Sequence, residues 1–141
     1  MSRFLNRLRM ELMCGDDGLP LCNRDGRQLF QLLADFTYQS DVAGLVTVPA
    51  GFVTDLASLP QAVLSLFGEI AQEPSIPHDF AYSTGTMTRA HADSMLYEAC
   101  ILTGVPAWKA KLIYAGVRIG GASHWTPAAP TAGAAAVALL P

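Results

Sequence analysis

Charged side chains are scarce in this chain, only 15% of its 141 residues, and they carry no basic excess: the formal net charge is −3. A surface without a positive footprint is a poor one for nucleic acid. Cysteine is sparse too. Cys14, Cys22 and Cys100 make an odd count without CxxC or zinc-knuckle spacing, which reads as reduced, unpaired thiols in a cytoplasmic protein. A continuous apolar run is missing at both ends. Met1 to Met13 alternates arginine with apolar residues and has no h-region of a secretory signal. Ala128 to Pro141 is apolar, but it is short and interrupted by Pro130 and Gly133, so no bilayer-spanning segment is expected. No internal repeat is present.

What remains is an apolar chain, 51% hydrophobic with positive mean hydropathy, of a length suited to one domain with its own core. The expected fold is α+β: a small antiparallel sheet from the first third, packed against three or four helices. The domain is expected over residues 1–125, followed by an Ala/Pro-rich C-terminal tail over 126–141. Leu8 to Leu12 alternates with period two, and Gly15-Asp16-Asp17-Gly18 supplies turn chemistry. Gln28 to Tyr38 reads as a half-buried strand. Leu45-Val46-Thr47-Val48 is the strongest strand, β-branched between Gly44 and Pro49, and Phe52-Val53-Thr54 continues the sheet after a bend.

After residue 58 the pattern becomes helical. Ser58 with Gln61 fits a capping box and Pro60 a first turn, predicting a helix over Ala62 to Ile70. Ser75 is the expected cap of a second helix, with Pro77 in its first turn, running through His78 to about Tyr82. Thr88 caps a third, whose buried face is Ala92, Met95, Leu96, Ala99 and Leu102. Pro106 opens a fourth, carrying Trp108, Leu112, Ala115 and Ile119 before Gly120-Gly121. Tyr97, Trp108 and Tyr114 are expected in the core, as is Cys100, and His91 on the solvent face.

Among the polar residues between Asp55 and Asp93, five have spacings that suit chemistry: Asp55, His78, Asp79, Arg89 and Asp93. His78 and Tyr82 are four apart and share a helix face, with Asp79 about 100° away. If the second and third helices pack antiparallel through Ser83 to Met87, Asp93 reaches His78 and fixes its tautomer. A histidine oriented by a carboxylate is the core of a general base that deprotonates water. Asp79, with Asp55 as a second carboxylate, would then hold a divalent cation. Each residue also has a structural reading. Asp55 can end a strand, His78 and Asp93 can lock two helices as a buried pair, and Asp79 and Arg89 can form a salt bridge.

His78-Asp79-x-x-Tyr82 followed by Ala92-Asp93 resembles, over roughly residues 77–97, the phospholipase A2 motif, in particular its compact forms in some viral capsid proteins. The resemblance implies a hydrolase with His78 as base, Asp93 as its partner, Tyr82 as support and Asp79 as calcium ligand. Those enzymes place a glycine-rich calcium loop before the helix, whereas this chain has Phe67 to Pro74. A second resemblance covers most of the chain. Val48-Pro49-Ala50-Gly51-Phe52-Val53-Thr54-Asp55-Leu56-Ala57-Ser58-Leu59-Pro60, His78-Asp79-x-x-Tyr82, Arg89-x-x-Ala92-Asp93, Gly104-Val105-Pro106, Tyr114, Val117-Arg118 and Gly120-Gly121 look like a phage and prophage family of unknown function.

That resemblance implies a phage-encoded protein, placed in the host cytoplasm during infection or in the virion. Other phage or virion proteins are its expected partners, in an oligomer or a docked state. The function expected first is a phage-encoded His/Asp hydrolase of phospholipase A2 type; the alternatives are a virion or tail-assembly component without catalysis and a protein that binds a host defence component.

Overall fold

The computed structural model describes residues 1–56, 65 and 72–127. Apart from Ser65, which is helical, the expected helix over Ala62 to Ile70 lies outside the described residues, as does the tail from residue 128. Among the described residues the architecture is α+β. Six short strands, β1 (Arg3–Phe4), β2 (Met10–Leu12), β3 (Phe30–Leu32), β4 (Phe36–Ser40), β5 (Gly44–Val48) and β6 (Val53–Thr54), precede three helices, α1 (Gln72–Thr84), α2 (Arg89–Leu102) and α3 (Ala107–Gly120). A single 3₁₀ turn, Ala122–His124, follows.

The strands form two antiparallel sheets, ordered β1-β4-β5 and β2-β3-β6, where one was expected. The division falls inside the segment from Gln28 to Tyr38, which is two strands and not one. Between β3 and β4 the Asp35 carbonyl accepts from Asn6 Nδ2 at 2.5 Å, and its side chain accepts from the Ala50 amide at 2.8 Å. Those bonds turn the chain out of one sheet into the other. In the first sheet Tyr38 faces Val46 and Phe36 faces Val48. All four are buried, as period-two alternation requires when one face meets the core. Glu98 of α2 ties the helices to this sheet, accepting from the Tyr38 hydroxyl at 2.7 Å and from the Asp41 amide at 3.1 Å.

The helix that carries His78 is already formed at Gln72, four residues before the first helical position that a Ser75 cap would give. Ser75 is therefore buried within α1 rather than capping it, and Pro77 sits inside the helix, where it forfeits one backbone hydrogen bond. Thr88 does cap α2, accepting from the His91 amide at 3.2 Å. The end of α2 is a Schellman motif: the Val105 amide donates to Cys100 O at 3.0 Å and the Gly104 amide to Ile101 O at 3.1 Å. Gly104 has φ +90°, and Val105 and Cys100 share the core between α2 and α3 with Leu96, Ala110, Ile113 and Val117.

The buried face of α3 is thus Ala110, Ile113 and Val117. Trp108, Leu112, Ala115 and Ile119, the apolar stripe legible in sequence, face solvent instead. Leu102 is exposed as well, while Tyr97 and Tyr114 are half-buried and meet edge to face at 6.1 Å. Both faces of α3 are apolar, and packing on α2 can use only one. Cys14 and Cys22 are exposed free thiols. Cys100 is buried, and burial pushes its thiol pKa up to about 12.

A Cβ at Gly104 would meet nothing within 4 Å, so the penalty of a side chain there is purely one of backbone conformation. Gly104→Ala is expected to lower unfolding free energy by about 1 kcal/mol. Urea denaturation of the two proteins measures it, and an unchanged midpoint would contradict the helix-end geometry.

Candidate functional site

Asp93 sits one turn into α2, directly above Arg89, with its side chain aimed into the junction of the three helices. Its Oδ1 accepts from the Tyr82 hydroxyl at 2.6 Å and lies 2.9 Å from His78 Nε2. Its Oδ2 accepts from an Arg118 guanidinium nitrogen at 2.8 Å and stands 3.6 Å from Arg89. The i,i+4 spacing that brings His78 and Tyr82 onto one face of α1 also stacks their rings, 4.2 Å between centroids. Arg89 spans to the end of α3, donating to the carbonyls of Val117 at 3.1 Å and Arg118 at 3.4 Å. One carboxylate thereby joins α1, α2 and α3.

Burial governs what this cluster can do. The His78 and Asp93 side chains have 0% of their surface exposed, and Arg118 has 34%. Burial by itself raises the Asp93 pKa. The hydrogen bonds from His78, Tyr82 and Arg118 outweigh it and hold the carboxyl below its usual range. Burial, then the bond to Asp93, raises the Tyr82 phenol well above its ordinary value. The bond to Asp93 raises the Arg118 pKa further still. Tyr82 is roofed by Trp125, edge-on at 5.1 Å, and its carbonyl accepts from the Thr126 amide at 2.9 Å. Gly121 closes the remaining side: a Cβ there would stand 2.5 Å from the Tyr82 hydroxyl and 2.3 Å from Val117 O, so only glycine fits without displacement.

The three residues expected to carry catalysis, His78, Tyr82 and Asp93, are therefore brought together. The two expected to hold a cation are engaged elsewhere. Asp79 Oδ2 accepts from the Thr54 hydroxyl of β6, which itself accepts from the Leu56 amide at 2.9 Å. Asp55 accepts from Asn23 at 2.7 Å, and Asn23 organises its own turn by accepting from the Asp25 and Arg27 amides. A calcium ion needs six to eight oxygens. Among the described residues no group of three or more His, Cys, Asp or Glu is placed to hold a metal. The Asp79–Arg89 salt bridge also gives way to another pairing: Arg89 turns to Asp93 and the α3 carbonyls. A cavity of about 590 Å³ lies apart from the cluster, lined by Phe4, Phe36, Arg7 and Glu73 among others.

Arg118 and Gly121 were not among the residues singled out for chemistry. Arg89 was read toward Asp79, although its i,i+4 spacing to Asp93 could have pointed to the pairing observed. For Arg118 and Gly121 the signal was only their place in the Val117-Arg118 and Gly120-Gly121 motifs. Those motifs, and the junction they build, fall in or beside the region matched by a known family. Residues 30–117 match the family described as "Protein of unknown function (DUF1353)". The chain belongs to this family. Among curated proteins it is similar to the uncharacterized protein y4jT of Sinorhizobium fredii (strain NBRC 101917 / NGR234), 33% identical over 106 residues. That alignment takes in 72% of this chain and 31% of y4jT, so this DUF1353 chain spans about a third of its relative's length. No solved structure matches it.

Removing the carboxylate strands two buried donors and an arginine. Asp93→Ala is expected to cost about 3 kcal/mol or more in urea unfolding, against a few tenths for a surface aspartate. A cost within the surface range would show that Asp93 does not hold the helices.

Because the folded chain keeps Asp93 below its ordinary pKa, the unfolded chain takes up that proton more readily. The stability it contributes is complete above about pH 4 and is lost as pH falls through the folded value. Acidification below about pH 4 should therefore destabilise the wild type more steeply than Asp93→Asn. Parallel acid limbs for the two proteins in pH-dependent melts would refute this.

Proposed function

We propose that this DUF1353 chain is a non-catalytic accessory or assembly protein of phage type, whose His78–Tyr82–Asp93–Arg118 cluster is a structural clamp. The observation that carries the reading is the complete burial of His78 and Asp93, with the Asp93 carboxylate shared among Tyr82, His78 and Arg118. A general base must reach the proton it removes, directly or through one water, and an imidazole without exposed surface is poorly placed for that. The phage character rests on the ordered motifs from Val48 to Gly121 that resemble phage and prophage proteins. The exposed apolar side chains of α3 suit a chain that docks on others. No helix of the described residues is long and apolar enough to cross a membrane.

The hydrolase reading is the second one, supported by the 2.9 Å His78–Asp93 pairing and by Tyr82 on the same carboxylate. In it His78 deprotonates water and Asp93 orients the ring. It requires the helices to open, because the ring is closed off as they pack here.

Two measurements separate the readings. The purified chain is expected to turn over neither micellar nor bilayer phospholipid, with calcium or without. Deleting its gene from a phage or prophage genome that carries it is expected to halt particle assembly. Calcium-dependent turnover that disappears in His78→Asn, with assembly unaffected by the deletion, would reverse the order of the two readings.

A further inference from the structure

The apolar stripe of α3 is built as a seam. Trp108, Leu112, Ala115 and Ile119 follow one another at spacings of four, three and four residues. At 3.6 residues per turn they fall within a sector of about 60°, and its centre lies about 160° from that of the buried face. Trp108 is 64% exposed, Leu112 47% and Ile119 85%. The stripe runs about 16 Å, three turns of helix. So narrow a strip of a/d character is the geometry of helix-on-helix packing, and it is narrower than the broad apolar face with which a helix enters a lipid surface. Ala115, near its middle, lets a partner helix come close.

The charges beside the seam identify the partner. Lys109 lies on one side, Lys111 and Arg118 on the other, and α3 contains no acidic residue. Arg118 is held by Asp93, which leaves Lys109 and Lys111 as the flanking cations. Residues beside such a seam set partner choice by charge. A second copy of α3 would bring lysines against lysines or against Arg118, with no acid to answer them. We propose that the Trp108–Leu112–Ala115–Ile119 face of α3 docks an amphipathic helix of another protein, one with apolar residues at a/d spacing flanked by glutamate or aspartate. This rests on the reading of the chain as an assembly protein and gives that reading its contact surface.

The test uses the full chain and two fluorescein-labelled helical peptides with the same leucine seam, one flanked by glutamates and one by lysines. Fluorescence anisotropy should give at least about tenfold tighter binding of the acidic peptide. Leu112→Glu/Ile119→Glu, at exposed positions, should remove binding while keeping the wild-type melting temperature. Lys109→Glu/Lys111→Glu should transfer preference to the basic peptide. Equal binding of both peptides, no binding of the acidic one, or binding untouched by the double glutamate variant would overturn the proposal. So would a wild-type dimer in sedimentation that Leu112→Glu dissolves, since the occupant would then be a second copy.

Two further outcomes also count against it. Phosphatidylglycerol vesicles binding in place of the acidic peptide would make the occupant a membrane. Tighter peptide binding in Leu139→Glu/Leu140→Glu would make it the chain's own C-terminal tail. If deletion of the gene halts particle assembly while the Leu112→Glu/Ile119→Glu variant supports it fully, the assembly reading stands and only the α3 surface is lost.

Discussion

A single buried negative charge organises the helical half of this protein. Asp93 exacts a desolvation penalty that its partners must offset, and they come from all three helices: His78 and Tyr82 from α1, Arg89 from its own helix α2, Arg118 from α3. None of the three can leave without stripping the carboxylate of a donor or a cation. Packing of Leu96, Ile113 and Val117 brings α2 and α3 together, but apolar side chains tolerate sliding. The fixed geometry of the hydrogen bonds does not, and it sets the register at which the helices meet.

The same arrangement separates what spacing along the chain reveals about the His78–Tyr82–Asp93 constellation from what it does not. Spacing along a helix places His78 and Tyr82 on one face, and an antiparallel neighbour brings up Asp93. Both features were legible in sequence, and both are present. Exposure was not legible. Whether a His–Asp pair faces a cleft or a core depends on what covers it, and here the cover includes Arg118 from 25 residues further on, Trp125 on the Tyr82 ring, and a glycine at 121 with no room for a methyl group. Those contacts are tertiary, and no local pattern announces them.

Other differences have equally specific causes. The strand boundary at Leu33 to Asp35 was hidden because apolar residues recur on both sides of it, Leu29, Phe30, Leu32 and Leu33 before and Phe36 and Tyr38 after; what breaks it is a set of hydrogen bonds to Asn6 and Ala50, distant in sequence. The caps and stops were legible where chemistry is local, as with Thr88 and Gly120-Gly121, and misleading at Ser75, where α1 begins earlier and buries the residue. On α3 the strongest apolar periodicity marked the wrong face. The core uses Ala110, Ile113 and Val117, packed with Leu96 and Cys100 of α2, and the Trp108–Ile119 stripe is left outside.

The short segment after α3 has a mechanical consequence. Beyond Gly121 the backbone doubles back, Trp125 rests on Tyr82, and the Thr126 amide is bonded to the Tyr82 carbonyl. Tension applied to the chain from its C-terminal side therefore arrives first at the last turns of α1 and not at the tip of α3. From Tyr82 it passes to Asp93, the most heavily tied atom group in the helical half. A load entering through Trp125 and Thr126 is thus borne by the clamp, and the outward seam of α3 stays unloaded.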